Sequence, residues 1–433
     1  MRWTLTALCA LLVAAADAAD AAVGPRHSDD IERDARLEVP ALVRQYGYPL
    51  EEHRVLTADG YVLTAHRIPH ARGLAPAPRG ARTPVLLMHG LLCSSADFLV
   101  LGPDAALGYL LADAGYDVWL ANARGNHYSR RHLWLDPDDR ERLDFWKFSW
   151  DEIGNRDLPA LADHIGAVTG RRMHYVGYSQ GSTAFLVLMA LRPEYNERFL
   201  SFQALAPAAF AEYSEDPVRD RLVHLESVID VSTAPAGARA APSTVAALSY
   251  TRRPQTLAFR HGVGEVLGRH DAFTALGLRF CADGARLQPL CARLLGGGEA
   301  VNRTLLPVFL GHTPAGAGVR QILHYAQVQR FGRFARYNHD ALGNLARYGS
   351  LRPPEYDVTR VAVPTYLHYG LSDKNSLAEN VRLLARRMGP RAALLRVPRA
   401  SFNHFDFIWA GDARAQLYEP LVATLRRHDP PRR

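Results

Sequence analysis

Residues 174–191 place the tightest restriction on what this chain can become. An apolar run, His174-Tyr175-Val176, meets a helical pattern, Ser182 to Leu191, across Gly177-Tyr178-Ser179-Gln180-Gly181. A strand that bends into a helix within five residues leaves no room for side chains at the two flanking positions, and glycine stands at both. The same bend pushes the middle hydroxyl out above the sheet edge. Pro193 ends the helix. The bare pentapeptide arises by chance in long chains. Its placement between a strand and a helix gives it weight.

The neighbourhood repeats the same grammar. Val85-Leu86-Leu87-Met88, Asp117-Val118-Trp119-Leu120, Phe202-Gln203-Ala204-Leu205 and Thr365-Tyr366-Leu367-His368-Tyr369 are short, mostly apolar runs. Strands covered on both faces by helices look like this. Helical patterns at Ala105 to Ala114 and Leu158 to Thr169 lie between them. Strand–helix alternation predicts an α/β fold with a mostly parallel sheet. Ahead of it, Glu51 to Thr57 and Tyr61 to Ile68 flank Ala58-Asp59-Gly60 and read as a β-hairpin. The alternation stops near Ala208 and resumes after Ser350. The expected division is therefore a first core part over 23–207, an inserted, mainly helical cap over 208–350, and a second core part over 351–433.

Residues 1–22 read as a secretory signal. Arg2 supplies the positive start, Leu5 to Ala16 the apolar stretch, and several alanines the cleavage options. That stretch is too short to span a bilayer, and no later one is long enough either, so no transmembrane segment is expected. Export would put Cys281 and Cys291 in an oxidising compartment, where a disulfide between them is expected. Cys93 is then left as a small buried residue. Asn302-Arg303-Thr304 is a glycan acceptor pattern. The formal charge of +7 is carried mostly by arginine, since Lys147 and Lys374 are the only lysines. No basic block or zinc signature accompanies it, so nucleic acid is not an expected partner.

A hydroxyl presented in this way suits nucleophilic attack on a carbonyl. Acyl transfer also needs two N–H donors for the developing oxyanion. Gln180, directly after the serine, supplies one. The loop after the earlier strand, His89-Gly90-Leu91-Leu92, supplies the other, at Leu91; His89 is read as shaping that loop. The base must be a histidine oriented by a carboxylate, in the chain order serine, acid, histidine. Asp373 follows the strand Thr365 to Tyr369. His404 follows Leu394 to Val397, the next expected strand. Asp373 could also cap a helix from Ser376 to Met388. Asp406 is the rival acid, but it lies only two residues from His404.

With these residues in place the chain resembles the acid lipase family, which includes gastric and lysosomal lipases and many insect secreted lipases. The resemblance is carried by Tyr46-Gly47-Tyr48-Pro49, Thr57-Ala58-Asp59-Gly60-Tyr61, Leu111 to Leu120, Asn122-Ala123-Arg124-Gly125-Asn126, Phe145-Trp146-Lys147-Phe148-Ser149 and Asn403 to Trp409. It covers most of Val43 to about Leu425. It implies an α/β-hydrolase that cleaves lipid esters, triacylglycerol or steryl ester, with Ser179, Asp373 and His404 catalytic and Leu91 and Gln180 as oxyanion donors. It also implies that Cys281–Cys291 is the family's cap disulfide. No metal or other cofactor is implied. An amphipathic lid that opens at a lipid–water interface is a further expectation. Three departures stand out. Tyr178 replaces the histidine usual in mammalian members, Lys374-Asn375 replaces apolar residues, and Ala211 to about Gly262 matches poorly. The competing functions are an esterase of small soluble esters and an inactive lipid carrier.

Overall fold

Among the described residues ten strands build two sheets: β1 Glu51–Leu56, β2 Val62–Ile68, β3 Pro84–Met88, β4 Asp117–Ala121, β5 Met173–Tyr178, β6 Phe199–Leu205, β7 Glu265–Val266, β8 Ala317–Gly318, β9 Thr365–Tyr369 and β10 Ala392–Arg396. The computed structural model describes residues 28–76, 78–213, 258–259, 261–296 and 300–431. The signal sequence expected over 1–22, and 214–257 of the expected cap, lie outside the described residues.

The large sheet has eight strands in the order β1-β2-β4-β3-β5-β6-β9-β10. β1, β2 and β4 pair antiparallel; β4, β3, β5, β6, β9 and β10 are parallel. Every residue of β3, β4 and β5 is buried. Side chains alternate between the faces of a strand, and both faces here are dry. Val85, Leu87, Val118, Leu120 and Val176 enter one hydrophobic layer. Leu86, Met88, Trp119, Ala121 and Tyr175 enter the other. This is why the runs are continuously apolar rather than alternating.

The helices that shape the site are α1 Leu107–Asp113, α2 Leu158–Thr169, α3 Gln180–Leu191, α4 Asp271–Phe280, α5 Gln288–Leu294, α6 Leu306–His312, α7 Val319–Phe331 and α8 Ala378–Met388. Residues 180–190 of α3 are all buried, as expected of a helix that is apolar all round. It starts two residues before the apolar pattern does, because Ser179 O already accepts Ser182 N–H at 2.9 Å and Thr183 N–H at 3.3 Å. α2 stops at Gly170, whose φ of +70° suits a residue without a Cβ.

β6 and β9 are sheet neighbours, with Leu205 opposite His368. The chain leaves the sheet between them, and α4 to α7 and the β7–β8 ribbon belong to that inserted segment. A disulfide joins Cys281, just past α4, to Cys291 in α5. The insertion is tied to the core through the middle of α7 and the segment that follows it. His324 stacks on Trp150 at 3.5 Å between centroids and bonds Ser149 Oγ at 3.1 Å, and Arg336 pairs with Asp151 at 2.9 Å. Burial pulls the His324 imidazole down to about 3, so the ring packs as a neutral aromatic. Among the described residues no helix is long and apolar enough to cross a membrane.

Candidate active site

The bend after β5 is set by backbone crowding. A Cβ on Gly181 would lie 2.2 Å from Met88 O, and one on Gly177 would lie 2.6 Å from Gly181 C. Neither position admits a side chain. Ser179 itself sits at φ +50°, in a region that L-residues avoid. Its N–H donates to Leu205 O at 2.8 Å, which stitches the bend to the next strand. Gln180 is the first residue of α3 and is buried. Its N–H therefore has no acceptor within the helix and sits at the positive end of the helix dipole.

Two loops beyond the insertion complete the arrangement. His404 Nε2 lies 3.0 Å from Ser179 Oγ, and His404 Nδ1 lies 2.9 and 3.1 Å from the two oxygens of Asp373. Asp373 Oδ1 also accepts Asn375 N–H at 2.9 Å and Ser376 N–H at 2.7 Å. These bonds close a turn ahead of α8. The helix itself starts at Ala378 with Leu377 before it, so Asp373 does not cap it as a Ser376 start would require. Ser376 Oγ bonds Pro207 O at 2.6 Å and ties this turn to the end of β6. The His404 loop is held by Tyr178, whose hydroxyl donates to His404 O at 3.0 Å. Asp406 is occupied elsewhere: it accepts Asn403 N–H at 2.9 Å and pairs with Arg399 at 3.1 Å.

The loop after β3 approaches from the opposite side. A Cβ on Gly90 would lie 3.3 Å from Ser179 Cβ and 3.0 Å from the Tyr178 ring, so the loop runs directly against the bend. His89 holds its base. Its Nδ1–H donates to Gly90 O at 2.7 Å, while Nε2 accepts Ala123 N–H and an Asn126 amide N–H, both at 3.1 Å. Burial pulls this imidazole down to about 4, so it stays neutral and every nitrogen is used.

Sequence reasoning passed over the supports of this loop. Asn126 and Ser95 N–H both bond Asn122 Oδ1, at 2.9 and 3.0 Å. Behind them the buried Arg124 guanidinium bridges Asp59 at 2.7 Å and Asp157 at 2.6 Å, and lies 4.0 Å over the Tyr61 ring. The signal was present in Asn122-Ala123-Arg124-Gly125-Asn126. Nothing in the string said which strand end it would brace.

The hydroxyl opens onto a cavity of about 490 Å³ lined chiefly by apolar side chains, among them Leu91, Leu92, Leu267, Leu295, Ile322, Phe405 and Trp409. Leu267, Leu295 and Ile322 come from the insertion. Cys93 lies buried at the same wall. Asn302 lies in the insertion at the start of the turn Arg303–Leu305, where its side chain accepts Thr304 N–H at 3.2 Å. A hydroxyl, an imidazole and a carboxylate in one hydrogen-bonded line can move a proton off the hydroxyl while it attacks a carbonyl.

Two family descriptions match the chain. One, a partial alpha/beta-hydrolase lipase region, covers residues 39–102; the other, the alpha/beta hydrolase fold, covers residues 83–224. Lipase 1 of Drosophila melanogaster is 38% identical over 402 residues, spanning 92% of this chain and 81% of its own. The chain belongs to the acid lipase family. Lipase 3 of the same fly is 35% identical over 389 residues, 88% of this chain and 91% of its own. The gastric triacylglycerol lipase of Rattus norvegicus is 32% identical over 401 residues, 90% and 92%. This acid lipase is accordingly a carboxylic ester hydrolase on an α/β-hydrolase fold.

Proposed function

We propose that this lipase cleaves triacylglycerol or steryl esters through an acyl-enzyme on Ser179. His404 takes the Ser179 proton as Oγ attacks the ester carbonyl, and Asp373 holds the imidazole tautomer and favours the imidazolium that forms. The N–H groups of Leu91 and Gln180 receive the oxyanion. His404 then protonates the leaving alcohol, and water repeats the cycle on the acyl-enzyme. The observation that carries this is the unbroken line Asp373–His404–Ser179 opening onto a chiefly apolar-lined cavity of about 490 Å³.

The apolar lining favours a long acyl chain over a small soluble ester. The same lining supports a division in which 208–350 caps a core made of 23–207 and 351–433. A chain exported by the signal over 1–22, disulfide-bonded at Cys281–Cys291 and glycosylated at Asn302 would meet its substrate outside the cell or in the lysosome, at a lipid–water interface. The test is a fluorophosphonate probe followed by a chain-length profile. Labelling at Ser179 with long-chain esters preferred is expected. A folded Ser179→Ala enzyme that still hydrolyses them at the wild-type rate ends the proposal, and preference for short soluble esters would favour the esterase reading.

A further inference from the structure

Beside the site, and not used by the mechanism above, lies a buried carboxyl that reaches the inserted segment. Asp97 lies in the turn Ser95–Phe98, just past the loop that carries Leu91, and is 3% exposed. Its Oδ2 accepts Ser94 N–H at 2.8 Å, and its Oδ1 accepts the Thr313 hydroxyl at 3.1 Å. The Cys93 thiol and the Trp409 indole face the same carboxyl. Thr313 follows α6 in the insertion. One side chain therefore bonds both to the loop after β3 and to the segment that the chain inserts far downstream. The two meet again through the backbone, where Ala315 N–H donates to Leu92 O at 2.7 Å.

The loop needs such support. Leu92 stands at φ +63°, a left-handed conformation costly for a leucine, so its surroundings must impose the turn. Hydrogen bonds to a charged acceptor are the strong kind. Burial pushes the Asp97 carboxyl up to about 6, so above that pH the bonds are made to a carboxylate.

We propose that Asp97 is a positioning residue for the oxyanion donor: it clasps the end of the 89–94 loop, at Ser94, to Thr313 beside the Ala315–Leu92 bond, so that the Leu91 N–H is aimed only while the inserted segment is seated on the core. This rests on the assignment of Ser179 and Leu91 made above. The turn is thus set by both parts of the molecule, and the insertion acts on the rate as well as on the shape of the acyl cavity.

Misaiming an oxyanion donor weakens the tetrahedral state more than the bound ester, so kcat falls while KM stays. The test uses Thr313→Val, Asp97→Asn, Asp97→Ala and the Asp97→Ala/Thr313→Val pair. Each is assayed on a soluble short-chain ester and with a boronic acid that forms a tetrahedral adduct on the serine. Thr313→Val is expected to lower kcat about 5-fold, the worth of one hydrogen bond. Asp97→Ala is expected to lower it about 100-fold, the worth of one oxyanion donor. KM should hold within about 2-fold, boronate affinity should fall in parallel with kcat, and the double variant should be no worse than Asp97→Ala.

A wild-type kcat in Thr313→Val and Asp97→Asn, a loss confined to KM, or fully additive losses overturns the clasp. Should Asp97→Ala fail to fold, Thr313→Val and Asp97→Asn decide alone. Failure of the underlying reading looks different: wild-type enzyme would then resist the boronate, or Ser179→Ala would remain active.

Discussion

The two backbone segments that converge on Ser179 are held in unlike ways. The bend 177–181 is enclosed by core backbone: Met88 O lies against Gly181, and Leu205 O accepts the Ser179 N–H. The loop 89–94 is held by side chains and by the insertion, through His89, Asn126, Asp97, Thr313 and the Ala315–Leu92 bond. The backbone of the bend is thus fixed mainly by the sheet. The turn proposed to receive the oxyanion is a property of the sheet plus the inserted segment. Changes in the insertion can therefore alter rate without moving the nucleophile.

The contrast can be tested at each level. Ser179→Ala and Asp373→Asn are expected to cut kcat by about 10⁴-fold with the fold retained, as losses within a triad do. Asp406→Asn should leave kcat within about 3-fold and cost about 1–3 kcal/mol of stability, the usual result of weakening a buried polar network. Steady-state rates paired with urea melts distinguish the two aspartates; equal rate losses in both would dissolve the distinction.

Gly181→Ala comes next. A Cβ 2.2 Å from Met88 O has no flexible neighbour to displace. The variant is expected to lose about 3 kcal/mol or more, the range of severe overpacking, and to lower kcat as well. Wild-type melting and rate would show that the bend tolerates more than its geometry allows.

Asp97 predicts a pH effect on stability of similar size. Its folded carboxyl is pushed up to about 6 by burial, above the ordinary 3.8. The stability it contributes is fully present below about pH 4 and is lost as pH rises through about 6, up to about 3 kcal/mol for a shift of about two pH units. Asp97→Asn should remove that dependence, so its stability relative to wild type rises from pH 4 to pH 7. Parallel pH curves for the two proteins in urea titrations would count against it.

The smallest effect is expected at Tyr178→Phe. Losing the bond to His404 O should cost about 1 kcal/mol and lower kcat less than about 5-fold, read from melting and from the rate. A loss as large as that of Asp373→Asn would give the phenol a larger part than holding a loop.

Much of the bend and its partners was legible in the chain. Gly177, Ser179 and Gly181 between an apolar run and a helical pattern allow few local structures, and the downstream strands put Asp373 and His404 at one sheet edge. The hairpin around Asp59-Gly60 was equally readable, and β1 and β2 pair Leu56 with Val62. Helix starts were less so. α3 begins at Gln180 because the Ser179 carbonyl already accepts helical bonds, which no apolar periodicity reports. The supports of the loop after β3 were not legible. Asp97, Thr313, Asn122 and Asn126 are ordinary polar residues in sequence, and their meaning comes from contacts between segments far apart in the chain. The Asp97–Thr313 bond spans 216 residues. Pairings across that distance leave no periodic trace.

The order of strands has a consequence for the life of the molecule before it is finished. Asp373 and His404 both follow the insertion, while Ser179 precedes it. A ribosome making this chain extrudes the bend, the loop after β3 and the whole inserted segment before Asp373 and His404 are made. On the proposed roles, the nascent polypeptide therefore lacks the pair that activates its hydroxyl. With the roles proposed for these residues, ester cleavage begins only after β9, β10 and the loop beyond them have joined the sheet.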